Sequence, residues 1–144
     1  MTRTLIAQDG LAALWAELPR LIDSAHGHVD RHPALEVASL DVCADGVGAG
    51  RVEIYVSGSR SLACARLLDW LDTLTRTSLC LQVEGNPQQP RAMVFGRLHD
   101  GTSATVIAPL AEEDAEVIVR DRIGDWVLHW LRLQAVDAVA SPRR

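Results

Sequence analysis

Leu11, Leu14, Trp15, Leu18, Ile22 and Ala25 recur at the spacing of one face of a helix. The pattern predicts a first helix over residues 10–26. Pro19 falls inside it and removes a helix hydrogen bond, which predicts a kink or a restart. Residues 26–33 then read as a loop. Leu35, Val37, Leu40 and Val42 give the next segment, up to Cys43, strand character. Val52, Ile54 and Val56 alternate with Glu53, Tyr55 and Ser57, the two-residue period of a half-buried strand. The glycine-rich residues 45–50 join these two strands as a hairpin.

Leu67, Trp70, Leu71 and Leu74 share one face of a second helix, with Asp69, Asp72 and Arg76 on the other. Leu79, Leu81 and Val83 alternate in a third strand. In the fourth, Ala92, Val94, Gly96 and Leu98 line one face, and Met93 and Phe95 the other. Asp100-Gly101 supplies the positive φ angles of a tight hairpin turn. Ala104, Val106 and Ala108 form a fifth strand, stopped by Pro109. The acidic run Glu112, Glu113, Asp114 and Glu116 suits a helix N-terminus. Val119, Ile123, Trp126, Val127, Trp130 and Leu133 then mark a helix over 117–139.

The element order is therefore α-β-β-α-β-β-β-α. It predicts an α+β fold, a single five-stranded antiparallel sheet with helices on one face. At 144 residues, without an internal repeat or a long linker, the chain reads as one domain, 1–144, with a frayed tail at 140–144.

A hydrophobic fraction of 48% belongs to a globular chain rather than a disordered one. No apolar run is long enough to span a bilayer, and residues 1–9 lack the apolar stretch of a signal peptide. Cys43, Cys64 and Cys80 are odd in number and widely spaced, which suits free thiols in a reducing cytoplasm. The net charge of −5 argues against a nucleic-acid footprint. All 14 basic residues are arginine, whose planar fork suits carboxylate and phosphate partners better than lysine does.

Three segments could carry chemistry. In Ser57-Gly58-Ser59-Arg60 a strand turns into a helix, whose free N–H groups and Arg60 would attract an anion. The Walker spacing is absent, so a serine cap with Gly58 at the bend is the plainer reading. The segment His26-Gly27-His28-Val29-Asp30-Arg31-His32 holds three of the five histidines and a carboxylate, donors that suit zinc. It resembles the His-x-His-x-Asp-His motif of the metallo-β-lactamase family, with Arg31 inserted between Asp30 and His32. That insertion breaks the ligand spacing, so the hydrolase activity does not follow. No cofactor is expected; zinc is the ion that His26, His28, Asp30 and His32 would take. Cys64 lies in the first turn of the second helix, where a thiolate is stabilised. It lacks a base that the sequence can place beside it, and a small buried thiol is the plainer reading.

The tryptophans point elsewhere. Four Trp stand against one Phe and one Tyr. Trp126 and Trp130 lie one turn apart, with Ile123 just before them. Trp anchors both cores and interfaces, so Ile123, Trp126 and Trp130 are the expected partner-binding residues.

The blocks Val52-Glu53-Ile54-Tyr55-Val56-Ser57-Gly58, Leu67-Leu68-Asp69-Trp70-Leu71 and Gly96-Arg97-Leu98-His99-Asp100-Gly101-Thr102 resemble small actinobacterial proteins of unknown function. The resemblance spans the middle half of the chain and implies no activity. In size, acidity and helix–strand alternation the chain is similar to type III secretion chaperones. Those place three strands before the middle helix and two after it; here the order is two and three. The expectation is a non-enzymatic protein-interaction or regulatory module, chaperone-like, homodimeric and cytoplasmic. It binds itself or another protein, with no nucleic acid and no membrane partner. The alternative is a metal-binding protein or small metal-dependent enzyme built on residues 26–32.

Overall fold

A computed structural model describes residues 2–46, 49–85 and 89–140. The tail expected to fray lies, from residue 141 on, outside the described residues. The elements run α1 (Thr2–Arg31), β1 (Ser39–Cys43), β2 (Arg51–Tyr55), α2 (Arg60–Leu71), β3 (Thr75–Gln82), β4 (Arg91–Arg97), β5 (Ser103–Pro109), α3 (Asp114–Ile118), β6 (Arg122–Ile123) and α4 (Asp125–Ala140). The fold is α+β, with α1, α2 and α4 packed on one face of the sheet.

The sheet has six strands in the order β1-β2-β5-β4-β3-β6, and β2 pairs with β5 in parallel. This corrects the expectation of five antiparallel strands. The parallel pair follows from the connections. The α2 crossover brings β3 back in the direction of β2. Two antiparallel reversals, β3 to β4 and β4 to β5, leave β5 in that same direction. It is β5, not β3, that takes the slot beside β2. The expected hairpins β1–β2 and β4–β5 are both present.

Two helix boundaries also differ. α1 continues through Pro19 to Arg31, so the histidine segment is helical for all but its last residue. Pro19 is exposed, so the Trp15 carbonyl that loses its partner can bond to water. The expected last helix is split into α3 and α4 with β6 between them. Asp121 causes the split: its Oδ1 accepts from the Val83 and Glu84 amides at 2.7 and 2.8 Å. That contact draws the chain onto the β3 edge, where β6 pairs. Gly124, at φ 74°, then lets the chain turn into α4.

The core lies between the helices and one sheet face. Val52, Ile54 and Val56 from β2 and the following residue, and Ala104, Val106 and Ala108 from β5, meet Leu67 and Trp70 of α2. Leu21 and Ala25 of α1 and Val127 and Leu131 of α4 complete the layer.

Candidate functional site

The expected partner-binding residues separate in the structure. Trp130 is 7% exposed and belongs to the core cluster. Trp126 is 41% exposed and Ile123 77% exposed, both at the β6–α4 edge of the sheet. The Arg122 guanidinium sits 4.4 Å above the Trp126 ring, a cation–π contact that holds the indole in place. Leu133 and Val136 extend the exposed apolar stripe along α4. Residues 126 and 133 are two turns apart and share a face.

The histidine segment also divides between two environments. His26 and Asp30 point outward, with Nδ1 and Oδ2 3.8 Å apart. His28 is fully buried. Its Nδ1 accepts the His99 amide at 3.0 Å, and its Nε2 lies 2.9 Å from Thr73 Oγ1. Thr73 Oγ1 in turn donates to the Trp70 carbonyl at 2.9 Å. That leaves Thr73 Oγ1 to accept, so the network assigns the proton to Nε2. The ring stacks on Trp70 at 5.7 Å, and His32 and His99 flank it at 4.9 and 5.8 Å. Burial, and then the His32 and His99 charges, lower its pKa from 6.5 to about 4. Both His28 nitrogens are thus occupied within the protein. Among the described residues no group of three or more His, Cys, Asp or Glu is placed to hold a metal ion.

At the Ser57–Arg60 turn, Ser59 is the N-cap of α2, and its Oγ accepts from the Leu62 amide at 3.4 Å. Gly58 is at φ 118°, and a Cβ there would crowd the Leu62 side chain. The Ser57 carbonyl accepts from Arg66 at 2.7 Å. Arg60 reaches across to the buried Asp114 at 2.6 Å, and Asp114 Oδ2 accepts the Ala111 amide. The cation of this turn is therefore engaged in tying α2 to α3. Burial pushes the Cys64 thiol up to about 12, far from a thiolate nucleophile.

A further feature was not anticipated from the sequence. Among the described residues no helix covers the other face of the sheet. Strand register sets its side chains in rows. Tyr55, Ile107, Met93, Cys80 and Ile123 run across the sheet as one apolar row. Arg51, Ser103 and Arg97 form a polar row, and Glu53, Thr105 and Phe95 lie between the two. The signal was available in the alternation of β4, which puts Arg91 and Arg97 on the same side as Met93 and Phe95. Which strands would bring Arg51 beside Arg97 could not be read without the strand order.

Comparison of the chain with known protein families, curated proteins and solved structures yields no match. Among the described residues no helix is long and apolar enough to cross a membrane.

Proposed function

We propose that this chain is a non-enzymatic protein-interaction module of the cytoplasm that assembles as a homodimer through the β6–α4 edge. The observation that carries the reading is the apolar stripe of Trp126, Leu133 and Val136, open on the outer side of α4, whose inner side is already packed, with the exposed Ile123 of β6 beside it at the sheet edge. These side chains are about half exposed, so covering each is worth roughly 1 kcal/mol or somewhat more, and several together offset part of the cost of association. The side chains best suited to catalysis support the non-enzymatic part. His28, Asp114 and Cys64 are buried, and the first two serve internal hydrogen bonds. All three cysteines are free thiols, which suits a reducing compartment.

The test is the mass in solution, measured by light scattering or native mass spectrometry. The wild type is expected as a dimer, and the Trp126→Glu, Leu133→Glu double variant as a folded monomer with an unchanged far-UV spectrum. A wild-type monomer throughout the micromolar range rejects self-assembly. A metal found in stoichiometric amount in that same mass would restore the histidine reading in its place.

A further inference from the structure

The open face of the sheet is recessed. The hollow has a volume of about 630 Å³, within the range of small-ligand sites. Its floor holds Met93 and Ile107, which are only 6% and 3% exposed although no described helix lies over them. Its rim carries Arg51, Arg76, Arg91 and Arg97 against a single acid, Glu53. That is a positive recess in a chain of net charge −5.

The arginines are unequally engaged. Arg51 is bound to Glu53 at 2.9 Å. Arg91 donates from Nε to Gln82, which leaves both terminal nitrogens of its fork without a hydrogen bond among the described residues. Arg97 is steadied by the Gly101 carbonyl and Ser103 Oγ through Nη1 alone. The Arg76 side chain has no hydrogen bond or ion pair among the described residues. Its backbone is left-handed, at φ 52°, inside the β3 irregularity between Thr75 and Ser78. Strain of that kind in a non-glycine residue collects at binding sites, and bulges re-aim side chains. Here the bulge delivers a spare guanidinium to the end of the recess where Arg51 and Arg97 already stand. Arg91 is at the far end of β4, about 20 Å away by strand geometry.

We propose that this recess binds an organic anion with an apolar body. Its carboxylate, sulfonate or phosphate lies between Arg76 and Arg97, and its body rests on Phe95, Met93 and Ile107. Guanidinium forks suit such headgroups by paired, charge-assisted hydrogen bonds. The half-exposed Phe95 ring and the buried floor suit a body that water solvates poorly. A nucleic acid fits less well: the recess offers one ring for stacking, and a longer polyanion would run on over an acidic chain.

The probe pair is anilinonaphthalene sulfonate and its neutral counterpart phenylnaphthylamine, each titrated by fluorescence against the full chain. The sulfonate is expected to bind with an affinity that falls as salt rises. Arg76→Gln and Arg97→Gln should each weaken it about tenfold, the loss of one charge-assisted hydrogen bond. The neutral probe should bind these variants as it binds the wild type, while Phe95→Ala weakens both probes. Arg76→Gln removes no side-chain hydrogen bond or ion pair among the described residues, so its result stands even if Arg97→Gln loosens the hairpin. Ile22→Glu, in a separate apolar groove beside α1, should leave sulfonate binding intact. Equal sulfonate affinity in the wild type and Arg76→Gln, or sulfonate binding lost in Ile22→Glu, overturns the proposal.

Discussion

His28 joins three segments through two ring nitrogens and one stacking face. Its α1 backbone is tied to the β4–β5 turn through the His99 amide, and to the end of α2 through Thr73 and Trp70. Protonating Nδ1 would oppose a donor with a donor. The folded pKa of about 4 lies below the ordinary 6.5, so the unfolded chain binds the extra proton first. Stability from this residue is full above pH 6.5 and is lost as pH falls toward about 4, by about 3 kcal/mol in all. His28→Phe keeps an aromatic ring on Trp70 but leaves the His99 amide unpaired. It should lower stability by about 1–3 kcal/mol at neutral pH and flatten the slope in that window. Denaturant melts of both proteins across the window measure the difference; parallel slopes would remove His28 as the cause. Asp100 does not blur the comparison. Burial would raise its pKa, but hydrogen bonds from Thr102 and Ser24 outweigh that and hold it below 3.8.

Glu17 has a comparable role that its position does not announce. It is 5% exposed, and its two oxygens accept the Gly46 and Gly50 amides at 3.0 and 2.8 Å. A Cβ at Gly50 would lie 2.7 Å from the Cys43 carbonyl oxygen, a backbone atom that cannot give way, and would crowd the same carboxylate, which is why glycine is needed there. Glu17→Gln should cost about 1–3 kcal/mol, because one amide then faces an NH₂ group instead of an oxygen. A melting temperature equal to wild type would show that the loop does not depend on the carboxylate. Glu17 and His28 escaped the sequence for one reason. Helical spacing says which way a residue points, but their partners lie 29 to 71 positions away along the chain.

At the scale of elements, alternation and turn chemistry were informative and strand order was not. Val52, Ile54 and Val56 marked their strand, and Asp100-Gly101 marked the hairpin although only Gly101 takes a positive φ there, because the cause is local. The β2–β5 pairing is set by a crossover and two reversals, a global property. The split between α3 and α4 was hidden by apolar spacing that continues smoothly from Val119 to Leu133. What breaks it is Asp121 capturing two amides at the end of β3. Asp121→Ala should therefore undock β6 while leaving α2 and the central strands in place. Amide exchange at Val83 and Glu84 should speed markedly, with a loss of about 1–2 kcal/mol in global stability. Unchanged exchange at both amides would mean that β6 is held by α4 instead.

For the whole molecule, both edges of the sheet carry apolar surface, and this decides how copies can meet. Beside β1, α1 exposes Leu11, Trp15 and Ile22; beside β6, α4 exposes Trp126, Leu133 and Val136. If the α1 edge of one copy met the α4 edge of the next, the contact would be head to tail and would leave both ends open. If the α4 edge meets itself about a two-fold axis, assembly closes at two copies. The α1 groove, lined by Ile22, Val29, Val37 and Leu40, then stays free on each copy. The two arrangements predict different thermal behaviour. A closed dimer of folded chains melts at a temperature that rises with concentration, because association is linked to folding. Trp15→Glu should preserve that rise, and Trp126→Glu should abolish it. Head-to-tail growth would lose it in both variants and give the wild type a ladder of masses. A flat melting temperature in the wild type would show that neither edge is used for self-association. Both apolar edges would then be left for other proteins.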